Sequence, residues 1–172
     1  MNMNNIMNIV DETKKLTTLV LEDEPYTNEL MSTTLKNFFN KVYSAFDGDG
    51  ALELYKKHQP DIIFVDIILP GRNGLEIAKE IRNINSRQKI IIVTASNDMG
   101  YISEAVEIGV DNFIRKPIDT DKMIGVLIDV VSDIKREKKR LKKKLKKKFK
   151  KIKMELKIEL EKEIEKEFKN QS

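Results

Sequence analysis

The chain has 172 residues, 40% hydrophobic and 35% charged, with no cysteine and a formal net charge of +4. That length holds one domain with a real core plus an appendage, and the missing cysteine excludes disulfide frameworks and thiolate metal sites. No apolar run approaches the roughly 20 residues of a membrane span, and the N-terminus (MNMNNIMNIVDETKK) has neither the basic nor the apolar region of a secretory signal, so a cytoplasmic location is expected.

Residues 1–15 are Asn-rich and are expected to form a flexible extension or a loosely docked strand extension. A domain is expected over 16–134. Its first strand candidate is TTLVLE (17–22), and IIFVD (62–66) and IIIVT (90–94) are similar. All three are nearly continuous in apolar residues, the pattern of strands buried on both faces of a parallel sheet. KVYSA (41–45) and NFIRK (112–116) are less apolar strand candidates. Helical spacing lies between them: Leu30, Met31, Thr34, Leu35 and Phe38 within 26–39, then 50–57, 74–83, 101–108 and 120–134. Strand and helix alternate five times, which predicts right-handed crossovers and a doubly wound α/β sheet. His58, the only histidine, closes the second helix and is expected to face solvent.

In such sheets ligands bind beyond the carboxyl ends of the strands. The first, third, fourth and fifth strands end at Glu22-Asp23, Asp66, Thr94 and Lys116, so acids, a hydroxyl and a lysine should meet at one rim. Pro70 and Gly74 shape the loop after Asp66 and launch the next helix. Clustered carboxylates need positive charge, and an open, oxygen-lined site suits Mg2+. A carboxylate with Mg2+, a lysine and a hydroxyl around it is equipped for phosphoryl transfer. Taken singly, Asp66 could cap a turn, Thr94 could bond backbone, Lys116 could be a solvated lysine and Phe113 plain core; their joint placement carries the reading. No glycine-rich phosphate loop follows the first strand, and Ile68 stands where a haloacid-dehalogenase-like phosphatase has its second aspartate.

VLEDEP (20–25), FVDIILPGRNG (64–74), IIIVTA (90–95) and GVDNFIRKP (109–117), in this order and spacing, resemble the receiver domain of two-component response regulators. The resemblance covers roughly residues 15–134. It implies a CheY-like (βα)5 fold, flavodoxin-like, with a five-stranded parallel sheet of order 2-1-3-4-5, and a phosphoacceptor signalling domain rather than an enzyme. By the same resemblance Asp66 is the phosphoacceptor, and Glu22, Asp23, Asp66 and the backbone carbonyl of Ile68 hold Mg2+. Thr94 bonds the phosphoryl group, Lys116 pairs with it across a cis bond to Pro117, and Thr94 and Phe113 form the switch. The implied partner is a sensor histidine kinase. The implied output is the face of the fourth helix, fifth strand and fifth helix, which is also a surface for a homodimer.

Charge divides the chain sharply. Residues 1–134 carry 14 Lys/Arg against 21 Asp/Glu, residues 135–153 carry 14 against 1, and residues 154–172 carry 4 against 6. Residues 135–172 therefore read as a separate charged helical tail, with no proline after Pro117 to stop the last helix running into it. Leu141, Leu145, Phe149, Ile152, Leu156, Leu160, Ile164 and Phe168 form a stripe stepping by 4, 4, 3, 4, 4, 4 and 4. Its mean of about 3.9 exceeds the repeat of either coiled-coil hand, so no heptad register survives. The tail could dimerise or dock, contact anionic membrane or nucleic acid, or link to an output domain; a solvated lysine-rich helix is the plain alternative. A constitutive receiver-like scaffold oligomerised by its tail, or the input fragment of a longer regulator, are the competing functions.

Overall fold

A computed structural model describes residues 10–170, without the side chains of 165 and 167–170. The expectation for residues 1–9, and the place of Phe168 in the stripe, lie outside these described residues. Residues 10–13 form a helical turn in which Thr13 is buried, and Lys14 Nζ donates to the carbonyl of Lys36 at 3.0 Å.

Five strands and five helices then alternate: β1 (Thr17–Leu21), α1 (Pro25–Lys36), β2 (Lys41–Ala45), α2 (Gly48–His58), β3 (Ile62–Val65), α3 (Gly74–Ile84), β4 (Lys89–Thr94), α4 (Met99–Ile108), β5 (Asn112–Arg115) and α5 (Thr120–Asn170). All pairings are parallel and the order is β2-β1-β3-β4-β5. β3 and β4 are buried throughout, and β1 from Thr18 onward, whereas the less apolar β2 and β5 take the edges. Composition and position agree because an edge strand needs to bury less of itself.

The helices begin where side chains satisfy their free amides. Asp47 Oδ1 accepts from Gly50 N at 2.8 Å, Asn73 Oδ1 from Leu75 N at 2.8 Å, and Asp98 Oδ1 from Gly100 N at 2.7 Å. α1 departs from the expected stripe. Its buried residues are Asn28, Met31, Ser32 and Leu35, and Leu30 is exposed. After it Phe39 is in the core while Phe38 is only half-buried. The buried face is thus part polar, which an apolar periodicity cannot register. His58 is also not simply solvent-facing: it is half-buried and stacks on Tyr43, ring centroids 4.1 Å apart.

The chain divides into two compact units, Met1–Val131 and Ser132–Ser172. In the first, one core cluster lies between the sheet and α2, α3 and α4, around Leu19, Ile63, Val65, Leu75, Ile81 and Ile92, and Met31, Leu35, Met123, Leu127 and Val130 of α1 and α5 are also buried. The second is helical over its described residues and exposes Leu141, Leu145, Phe149, Ile152, Leu156, Leu160 and Ile164. Among the described residues no helix is long and apolar enough to cross a membrane.

Candidate functional site

The carboxyl ends of the strands are locked in register by backbone bonds. Asp66 N donates to Leu21 O at 2.9 Å, Glu22 N to Ala45 O at 3.2 Å, and Lys116 N to Thr94 O at 3.0 Å. Each residue just past a strand end is therefore fixed by its neighbour. Glu22, Asp23, Asp66, Thr94 and Lys116 all occupy this rim.

Three consecutive acids end β1, and they divide their work. Glu24 caps α1, its carboxylate accepting from Tyr26 N at 3.1 Å and Thr27 N at 2.6 Å. The Thr27 bond, with that of Tyr26, holds its carboxyl below the ordinary glutamate value. Glu22 and Asp23 are left for the site. Together with Asp66 they present carboxylate oxygens within 4.8 Å of one another. Glu22 and Asp66 are buried, and Asp23 is the more open of the three.

Lys116 enters this acid group from the end of β5. Its ammonium hydrogen-bonds Asp66 Oδ2 and lies 2.5 Å from Glu22 Oε2. Glu22 Oε2 is nevertheless out of line for a hydrogen bond, so it is a buried oxygen with a charge beside it and no donor aimed at it. That unsatisfied oxygen, in a three-carboxylate group, is the donor set a hard divalent cation such as Mg2+ takes. The Lys116–Pro117 peptide is cis.

Burial raises the Glu22 carboxyl above its ordinary value, with Asp66 and Asp23 adding to the rise and Lys116 opposing it. Burial would lower the Lys116 ammonium, but its bond to Asp66 and the negative charges of Asp66 and Glu22 beside it outweigh that and raise it. The signs differ in consequence. Lys116 contributes stability fully below the ordinary lysine value of 10.5, lost as pH rises through its raised value. Glu22 favours the fold only below the ordinary 4.5, so near neutrality its ionised form is a cost. Glu22→Gln is therefore expected to stabilise the metal-free protein by about 1 kcal/mol and to weaken Mg2+ binding about tenfold or more. Thermal melts across a Mg2+ titration check both; a variant less stable without metal would contradict the assignment.

Thr94, buried at the end of β4, accepts at Oγ1 from Ser96 N at 3.1 Å, which leaves its own proton available to a ligand. Ile68 N donates to Asp66 Oδ1 at 3.2 Å and so orients that carboxylate. Phe113 is half-buried and packs on the sheet core. The structure thus brings the carboxylates of Glu22, Asp23 and Asp66 within 4.8 Å of one another and sets Lys116 against Glu22 and Asp66, with Thr94 bonded through its backbone to Lys116.

Two packing contacts at the rim are not evident from the sequence. Buried Asn28 donates from Nδ2 to Glu22 O at 2.8 Å and Ala45 O at 2.9 Å, tying the ends of β1 and β2 to α1. Its Oδ1 accepts from Ser32, whose hydroxyl also meets that of Ser44 at 2.6 Å. Gly74, the first residue of α3, packs against the Asp66 carbonyl: a Cβ there would lie 1.8 Å from Asp66 O. An asparagine and a serine four apart on a helix were the available signal for the first; the sequence marks Gly74 as a loop and helix-start residue but not its close approach to the Asp66 carbonyl.

Comparison with known proteins gives one consistent match. Residues 18–128 fit the response regulator receiver domain family. The N-terminal domain of an uncharacterized protein from Wolinella succinogenes is 35% identical, with 72% of this chain and 99% of that one covered and a TM-score of 0.66. The receiver domain of AraT, a response regulator from Geobacillus stearothermophilus, is 28% identical, with 72% and 98% covered and a TM-score of 0.66. A DNA-binding response regulator of the LuxR family from Staphylococcus aureus is 26% identical, with 68% and 99% covered and a TM-score of 0.63.

Proposed function

The chain belongs to the response regulator receiver domain family of two-component signalling, and from that membership we propose that it is a phosphorylation-controlled switch charged on Asp66 by a sensor histidine kinase. The observation that carries the reading is the joint placement of Glu22, Asp23, Asp66 and Lys116 at the strand ends.

In the proposed reaction an Asp66 carboxylate oxygen attacks the phosphorus of a phosphohistidine. The new O–P bond forms as the P–N bond breaks, and the imidazole leaves and takes up a proton from water. The Ile68 amide keeps the other Asp66 oxygen turned away, so one oxygen is presented to the donor. Lys116, already on Asp66, stays beside the added group and neutralises its charge. The Thr94 hydroxyl donates to a phosphoryl oxygen. Mg2+, held by Glu22, Asp23, Asp66 and the Ile68 carbonyl, would supply further charge neutralisation for those oxygens. Transfer and later hydrolysis use the chain's own residues, so the protein is a phosphoacceptor and not a turnover enzyme. A kinase donor of this kind implies a cytoplasmic site of action.

Engagement of Thr94 by the phosphoryl group draws Phe113 further inward and reshapes the α4-β5-α5 face. α4 exposes Met99, Ile102 and Val106 at one helical spacing, an apolar surface suited to a homodimer or a downstream partner. The C-terminal continuation of α5 is the relay.

Incubation with a small-molecule phosphodonor tests the assignment. Intact-mass spectrometry is expected to show one added phosphoryl group, formed with Mg2+ and absent with a chelator. Borohydride trapping followed by peptide mapping should place it on Asp66. Uptake that ignores Mg2+, or a label on another residue, would sink the proposal.

A further inference from the structure

Residues 135–153, KREKKRLKKKLKKKFKKIK, are helical and carry 14 bases against the single acid Glu137. Their apolar residues Leu141, Leu145, Phe149 and Ile152 are exposed, from 43% at Ile152 to 70% at Phe149. At 100° per residue these four fall within about 80° of the helix circumference, and Lys and Arg occupy nearly all the rest. We propose that this segment is a peripheral membrane contact that lies along an anionic lipid surface, its Leu/Phe/Ile stripe bedded at the acyl boundary and its lysines among the headgroups.

Three observations favour a bilayer over other occupants. A second copy of the helix in parallel would set +13 against +13, and in antiparallel the segment 154–172 offers only −2. Over the whole tail from Leu141 to Phe168 the stripe's step of about 3.9 also sustains no coiled-coil seam, although Leu141 to Ile152 alone average about 3.7. Nucleic acid would satisfy the lysines but leave the four apolar side chains without a role. The segment has only two arginines, and Phe149 is its one aromatic side chain. An anionic bilayer matches both faces at once, because binding there scales with buried apolar area plus attraction to acidic lipid. It also relieves the lysine–lysine repulsion that this helix otherwise carries at i,i+4 spacing.

Co-sedimentation of the full chain with vesicles decides the matter. Phosphatidylcholine vesicles containing about thirty per cent phosphatidylserine are expected to bind at least about tenfold better than phosphatidylcholine alone, and salt should reverse it. Leu145→Gln with Phe149→Gln, which leaves every charge in place, should lower that binding roughly tenfold. Lys142→Gln, Lys144→Gln and Lys148→Gln together, which flank the stripe, should abolish the preference for anionic lipid. Circular dichroism should show equal or greater helicity on the vesicles. Equal binding to neutral vesicles, no binding to either, or undiminished binding of the double glutamine variant would overturn the proposal. So would duplex DNA binding more tightly than vesicles and equally well with that variant. Asp66 takes no part, so failure here leaves the phosphoacceptor assignment standing.

Discussion

Lys116→Met is expected to move two properties in opposite directions: Mg2+ should bind about tenfold tighter, and phosphoryl uptake on Asp66 should slow about a hundredfold. The Lys116 ammonium lies on the very oxygens a cation would take, hydrogen-bonding Asp66 and sitting 2.5 Å from Glu22 Oε2. The ion must therefore displace or share that charge. Removing the ammonium leaves Glu22 and Asp66 facing one another in a buried setting, which should cost the metal-free fold about 3 kcal/mol. Mg2+ should restore most of that, so the melting temperature of the variant should respond more steeply to the ion than wild type does. Uptake fails for a separate reason: the incoming phosphoryl oxygens lose their cationic partner. Calorimetric Mg2+ titration and time-resolved intact mass measure the two halves, with Asp66→Ala as the zero for uptake. An unchanged or weaker Mg2+ affinity would show that lysine and cation do not compete for these carboxylates.

The rim itself was legible because it follows from topology. Continuous apolar runs identify strands buried on both faces, and the residue after each run must lie at one edge of a parallel sheet. Glu22, Asp66, Thr94 and Lys116 come straight from that counting. What the residues do to one another was less legible. Glu24 sits beside Glu22 and Asp23 in sequence, yet it is taken up by the first turn of α1, since Pro25 starts the helix and leaves the next amides open. The polar pair Asn28 and Ser32 breaks the apolar stripe of α1, and so shifts the expected buried face by one position. Its burial makes sense only with the three-dimensional neighbours Glu22 O, Ala45 O and Ser44 in view. His58 is similar: its stacking on Tyr43 depends on β2 and α2 being adjacent, which no local pattern states.

Gly74 is the sharpest such case. In sequence it shapes the loop after Asp66 and opens the helix expected over 74–83, and it is indeed the first residue of α3, where alanine would ordinarily favour the helix by up to about 1 kcal/mol. Here a Cβ would lie 1.8 Å from Asp66 O, 2.8 Å from Asp66 C and 2.9 Å from Val65 Cγ1. Two of those atoms are backbone and cannot rotate away. Gly74→Ala must push α3 or the end of β3, at an expected net cost of about 3 kcal/mol. The displaced backbone is that of Asp66, the proposed phosphoacceptor, and a shift of order 1 Å in an attacking group costs about a hundredfold in rate. Chemical denaturation and phosphoryl uptake should therefore both suffer. Gly71 supplies the contrast within the same loop. It has φ +81°, and a Cβ added there would meet nothing within 4 Å. Gly71→Ala therefore incurs only the left-handed backbone strain, about 1 to 2 kcal/mol. Its uptake should stay near wild type once corrected for the fraction folded. If Gly74→Ala keeps both stability and uptake, the close approach of α3 to Asp66 does not position the acceptor. If Gly71→Ala loses uptake as deeply as Gly74→Ala, the loop as a whole, rather than that one contact, sets the geometry of the site.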